Sequence, residues 1–150
     1  MVIRFAAVLA LACQLTPGFG SEPAPIPSEL DVAQTQSELG AGHFSSRLLV
    51  AHYLERIARL DQAGPRLQSV LALNPQALAQ AEALDQERQQ GALRGALHGV
   101  PMLIKDNIDT ADLPTTAGAR AMAGHRPAQD AFIVARLSAA GALILGKTNL

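Results

Sequence analysis

The sequence has 150 residues, and its 12 Lys and Arg residues nearly balance 13 Asp and Glu residues, for a formal net charge of -1. That length is typical of a single domain, and the balanced charge shows no basic excess that would suggest a nucleic-acid-binding protein. Aromatic residues make up only 3% of the chain and Trp is absent, which argues against a binding site made of stacked aromatic rings.

The first twenty residues have the pattern of an export signal. Arg4 supplies an early positive charge, and the apolar stretch of residues 5–12 is too short to span a bilayer as a helix. Small residues near the end of the segment favour cleavage before Ser21. We therefore predict a signal peptide over residues 1–20 and an exported protein, either periplasmic or secreted. An uncleaved anchor and a lipoprotein signal ending at Cys13 are the alternatives.

Cys13 is the only cysteine in the sequence. A chain cleaved after residue 20 would contain no thiol, and so no disulfide, cysteine nucleophile or thiolate metal site. After removal of the signal we expect no attachment to a membrane, unless a lipid is carried at Cys13.

Beyond the signal, the chain divides into a linker and a folded unit. Residues 21–28 contain three prolines and are predicted to form an extended linker. Residues 29–150 are predicted to contain four helices. Their expected starts are marked by capping residues or by a proline in the first turn, and their expected ends by glycines. The residues proposed for these starts are Ser28 with Asp31, Ser46, Asn74 with Pro75, and Asp130.

Apolar residues at helical spacing predict the buried faces of three of these helices. The predicted faces are Leu49, Tyr53, Ile57 and Leu60 in the second helix, Ala77, Leu78, Ala81 and Leu84 in the third, and Ile133, Val134 and Leu137 in the fourth.

Two continuous apolar runs, Val100–Ile104 and Ala142–Leu145, predict buried strands. The polar segment 106–128 and a helix lie between them, an order typical of an α/β unit with parallel strands. Two strands cannot form a stable sheet that is buried on both faces. We therefore expect this chain to be the front part of a longer protein, with a complete small helical domain as the alternative.

The only two lysines, Lys105 and Lys147, both follow apolar runs, whereas ten arginines provide the other positive charges. A buried lysine can lose its proton and act as a base, which arginine cannot do. Lys105 is predicted at the carboxyl end of a buried strand, where α/β proteins often place active groups. The alternative is a lysine at the end of a strand whose ammonium reaches solvent or pairs with Asp106 or Asp109.

Two other kinds of site are excluded by sequence context. Gly141, Gly146, Lys147 and Thr148 have the spacing of a nucleotide-binding phosphate loop, but the residues between the glycines are themselves strand-like, which does not fit that loop. The four histidines lack the spacing of a metal pair. His98 is instead expected to bond a backbone carbonyl, and we predict no metal and no cofactor.

The segment 97–110, which includes Lys105, resembles the first hallmark block of the amidase signature family. Further similar pieces follow in the family's order, at residues 113–118, 130–137, 140–142 and 146–150. The resemblance implies an α/β fold of the amidase-signature type, with a mixed sheet covered by helices on both faces, of which this chain holds only the N-terminal part.

The resemblance also implies a Ser–cis-Ser–Lys triad in which Lys105 is the catalytic lysine. Asp106 and Asn107 are candidates for orienting Lys105 or the loop after it, with local turn hydrogen bonds as the alternative. Lys147 is expected to be structural or to line the cleft, in a tight turn after Gly146. No serine of this chain matches the nucleophile or the cis-serine, so residues 29–150 are expected to end before the serine-containing block and to be inactive alone.

The function implied is hydrolysis of a carboxamide, with a small-molecule or short-peptide amide as substrate and no nucleic acid as partner. The oligomeric state is not predicted. Two alternatives remain at this point: a protein similar to the amide-hydrolysing (A-type) subunit of an amidotransferase, and a non-catalytic scaffold on a degenerate amidase fold.

Overall fold

The computed structural model describes residues 26–150. The predicted signal peptide and most of the predicted linker lie outside the described residues. None of the helices within 26–150 is long and apolar enough to cross a membrane.

Helices and strands alternate along the second half of the chain, as expected of an α/β protein. In chain order the elements are α1 (Val32–Ala41), α2 (Ser46–Arg56), a π-helical turn (Ile57–Gln62), β1 (Val70–Leu73), α3 (Ala77–Gln89), β2 (Pro101–Lys105), a 3₁₀ turn (Arg120–Met122), α4 (Phe132–Ala139) and β3 (Leu143–Thr148).

The three strands form one mixed sheet in the order β1-β3-β2. The central strand β3 is parallel to β2, as the sequence predicts, and antiparallel to β1. The main core forms where α2 and α3 pack against β3, and its buried members are Val50, Ala77, Ala81, Leu84, Leu143 and Leu145. The predicted α/β class with a mixed sheet is confirmed.

The strands differ from the prediction in number, length and burial. The apolar run that precedes Asn74 contains β1, a third strand beyond the two predicted. Strand β3 continues through Lys147 to Thr148 and does not end at Leu145. In β2, Ile104 is buried but Leu103 is 40% exposed, so one face of this strand is open in the described part of the chain.

The helix starts also differ in detail. Asp31, and not Ser28, is the N-cap of α1: its side chain accepts from the Gln34 N–H while the Gln34 side chain accepts from the Asp31 N–H. Asn74 accepts from the Gln76 N–H in the turn before α3, and its amide group donates to the Ile144 carbonyl of β3. It therefore ties α3 to the sheet, and α3 begins only at Ala77.

Each of the three predicted apolar faces is wrong at one position. In α3 that residue is Leu78, which is 38% exposed. Leu60 is 41% exposed because the chain changes from α-helix to a π-helical turn after Arg56, which rotates the following residues off the predicted face. In α4, Val134 is buried but Ile133 is 55% exposed.

Asp130 does not cap α4, since its carboxylate accepts from the Ala111 N–H at 2.7 Å.

Gly146 allows β1 and β3 to approach closely, because a Cβ atom there would lie 2.3 Å from the Ala72 carbonyl oxygen. We predict that Gly146→Ala lowers the free energy of unfolding of the whole protein by about 3 kcal/mol, the upper end of typical overpacking costs. Gly124→Ala is the matched control, since a Cβ atom there meets nothing within 4 Å. Denaturant unfolding measures both, and equal stability of the two variants would contradict the prediction.

Candidate active site at the end of the parallel strands

Lys105 is the last residue of β2, at the carboxyl end of the parallel pair, as predicted. Its in-register neighbour on β3 is Thr148, and its carbonyl accepts from the Ile108 N–H at 3.0 Å. Its side chain is exposed, whereas Ile104 on the opposite face is buried. Within the described residues, the Lys105 amine is therefore accessible to a reacting group.

Lys147 has the opposite environment, with a side chain that is fully buried. It lies within β3 and not in the predicted turn, and its side chain reaches the segment that follows β2. The Nζ atom lies 2.8 Å from both the Ile108 carbonyl and Thr115 Oγ1, 3.2 Å from Thr110 Oγ1 and 3.3 Å from the Pro114 carbonyl. The expectation of a structural role fits this position, but its predicted location is wrong.

Asp106 provides the counter-charge for Lys147. Its carboxylate is buried and lies 3.5 Å from Lys147 Nζ. The same carboxylate accepts hydrogen bonds from both the N–H, at 3.1 Å, and the hydroxyl of Thr116. Asp106 is a candidate for orienting Lys105 or the loop after it, and its side chain faces Lys147 and bonds Thr116 of that loop. Asn107, the other predicted orienting residue, is exposed.

The oxygen atoms around Lys147 indicate that its side chain is protonated. Carbonyl oxygens can only accept hydrogen bonds, and the Thr110 hydroxyl already donates to the Leu113 carbonyl. Lys147 therefore binds as an ammonium whose three N–H groups are shared among several oxygens. Desolvation by burial lowers the pKa of Lys147, and the attraction of Asp106, which raises it, compensates only in part.

The cradle around Lys147 is formed by one continuous segment, residues 106–116. Thr110 and Thr115 are both buried, which is unusual for threonine in a surface loop. The segment is closed by a hydrogen bond from the Ala117 N–H to the Asp106 carbonyl, and Ala117 has a φ of 48°. Sequence reasoning missed this cradle, although a lysine beside an apolar strand and a threonine-rich loop were both visible signals.

Among the histidines, His98 behaves as expected. It is fully buried, and its Nε2 lies 2.9 Å from the Leu84 carbonyl, while its Nδ1 accepts from the Arg94 N–H. It therefore joins the middle of α3 to the segment between α3 and β2. Across residues 26–150, no three His, Cys, Asp or Glu side chains lie close enough together to hold a metal ion.

Comparison with protein families gives a match to the amidase model over residues 49–150, which is more than half of the chain. The chain belongs to the amidase signature family. The match includes Lys105, Asp106 and Lys147, together with the loop that surrounds the buried ammonium.

Individual relatives agree with this assignment. The A-type subunit of the glutamyl-tRNA(Gln) amidotransferase of Chloroflexus aurantiacus is 44% identical over 121 residues, covering 80% of this chain and 24% of the relative. The solved structure of the peptide amidase from Stenotrophomonas maltophilia is 53% identical, with a TM-score of 0.79, over 82% of this chain and 25% of that one.

An amidase family protein from Bacillus anthracis has a TM-score of 0.77 at 39% identity, over 82% of this chain and 24% of its own. These structures confirm the predicted amidase-signature fold. The chain spans about a quarter of the length of these relatives.

The lowered pKa of Lys147 predicts a stability that depends on pH. Between its folded-state pKa and the ordinary lysine value of about 10.5, the unfolded chain binds more protons, so this residue makes stability rise with pH. We expect the difference in unfolding free energy between the wild type and Lys147→Met to shift in favour of the wild type as the pH rises from neutral toward 10.5.

Urea unfolding at several pH values measures this difference. Arg59→Met is the control, because Arg59 is exposed and arginine does not titrate in this range. A difference that moves against the wild type with rising pH would show instead that folding favours the charged form of Lys147.

Proposed function

We propose that the whole protein is an amidase that hydrolyses a carboxamide through an acyl-enzyme, with Lys105 as the terminal base. The observation that carries this proposal is the contrast between the two lysines. Lys147 is buried and held by oxygen atoms of the 106–116 loop, whereas Lys105 presents an accessible amine at the carboxyl end of a parallel strand. Family membership supports the reaction class, since the relatives include a peptide amidase.

The chemistry requires an amine that can be neutral. In the proposed reaction, Lys105 accepts a proton through the cis-serine from the nucleophilic serine, as that serine attacks the amide carbonyl. Backbone N–H groups stabilise the resulting oxyanion. The proton then passes to the departing amine as the C–N bond breaks, which leaves an ester on the serine, and water hydrolyses the ester. Both serines would come from outside the present 150 residues.

The proposed substrate is a small-molecule or short-peptide amide, and the proposed location is outside the cytoplasm. The export pattern over residues 1–20 supports that location. A second candidate is a component of an amidotransferase, and the 44% identity to the Chloroflexus protein favours it. The export pattern argues against it, because tRNA charging takes place in the cytosol.

We predict that Lys105→Ala abolishes hydrolysis by the whole protein, lowering kcat by at least about a thousandfold, because the proton of the nucleophile then has no acceptor. Lys105→Arg should be as inactive, since a guanidinium stays charged. The assay measures the ammonia released when acetamide, benzamide and an N-acetylated dipeptide amide are hydrolysed.

Arg59→Ala serves as the control for loss of an exposed cation, because Arg59 lies on the surface of the π-helical turn. It should retain the turnover of the wild type. Substantial turnover by a well-folded Lys105→Ala protein would refute the assignment of the base, and a protein that hydrolyses none of the three amides would count against the amidase proposal.

A further inference from the structure

The buried ammonium of Lys147 holds the chain segment that directly follows Lys105. Asp106, the next residue, donates its N–H to the Thr148 carbonyl at 2.9 Å and places its carboxylate 3.5 Å from Lys147 Nζ. Two residues further, the Ile108 carbonyl accepts from Lys147 at 2.8 Å. The same residue closes the turn by donating its N–H to the Lys105 carbonyl. The turn 105–108 is thus held at two points by one side chain.

The ammonium also holds residues further along the same loop. It bonds Thr110, Pro114 and Thr115, which lie further along the same loop. The Asp106 carboxylate holds Thr116 next to them. If the ammonium were removed, the loop would lose four hydrogen bonds and Asp106 would lose its counter-charge. No other lysine or arginine in the described part of the chain pairs with Asp106.

This anchoring matters because Lys105 carries its amine on a long, flexible side chain. The position of that amine depends first on the direction of the backbone where β2 ends. A displacement of about 1 Å at a reacting group can reduce turnover by roughly a hundredfold. The buried charge can therefore act on the reaction without touching any reacting atom.

We propose that Lys147 is a positioning residue for Lys105: through Asp106 and Ile108 it fixes the backbone from which the base reaches the reaction site. The inference rests on the proposed function. It assigns to the second lysine a role in turnover beyond its contribution to folding.

The test compares Lys147→Met, Asp106→Asn and the double variant in the whole protein. The single variants each leave one buried charge without its partner, which destabilises a protein strongly, whereas removal of both charges is much less harmful. Thermal unfolding should therefore give the double variant a higher Tm than either single variant. Turnover should not follow this recovery, because a methionine side chain in place of Lys147 cannot donate to Ile108 or Thr115.

The expected result for Lys147→Met and for the double variant is a kcat lower by about 10- to 100-fold per folded molecule, with KM changed by less than about threefold. Leu39→Ala is the control for destabilisation alone, because Leu39 is buried in a separate core cluster with Phe44 and Leu49. It should keep the kcat and the KM of the wild type.

The rate at which acetic anhydride labels Lys105 at a fixed pH gives a second readout that requires no substrate. This rate should differ between the wild type and Lys147→Met, and should be the same in the wild type and Leu39→Ala. Wild-type kcat and labelling in Lys147→Met, or losses equal to those of Leu39→Ala, would overturn the role of Lys147. Full activity of Lys105→Ala would overturn the proposed function instead, so the two failures are distinguishable.

Discussion

The buried ammonium of Lys147 is the interaction on which the described structure around the parallel strands depends. A charge removed from water is stable only if other groups replace its hydration and its counter-ion. Here the Asp106 carboxylate, two threonine hydroxyls and two backbone carbonyls do so. All of them come from a single loop, so the charge can be buried only when that loop has its native shape. Ordering of the 106–116 loop and formation of strand β3 are therefore coupled.

The two lysines illustrate how one sheet can place the same residue type in two different environments. They lie near each other, on neighbouring positions of the paired strands β2 and β3, because Ile104 pairs with Lys147 and Lys105 with Thr148. Alternation of side chains along β2 places Lys105 opposite the buried Ile104. The Lys147 amine is thus buried among oxygen atoms of the 106–116 loop, and the Lys105 side chain is exposed.

The sequence predicts those features of the fold that depend on local pattern. Helices α1 to α4, the parallel strands and the position of Lys105 at a strand end follow from apolar spacing, caps and glycines. Strand β1 was missed because it has only four residues and is defined by pairing with β3, more than seventy positions away. Leu60 was placed on the wrong face because a π-helical turn breaks the periodicity on which the prediction relied.

The burial of Lys147 likewise does not follow from the local sequence pattern. Its hydrogen-bond partners lie 32 to 39 positions earlier in the chain, so no local pattern indicates them. Its neighbour Gly146 suggested a turn, yet that glycine is required by the close approach of β1. Asp106 is a candidate from its place next to Lys105, but its charged partner is the other lysine, because the backbone after β2 turns the carboxylate inward.

Hydrogen exchange of the backbone amides over residues 106–117, measured by mass spectrometry in the wild type and in Lys147→Met, tests the central claim most directly. Amide protons of Asp106, Ile108, Thr116 and Ala117 are donated within this segment, to the Lys105 carbonyl or to β3. We expect protection in the wild type and exchange at least about tenfold faster in the variant, while α1 is unaffected. Equal exchange in the two proteins would contradict the claim that the buried ammonium holds the loop after Lys105.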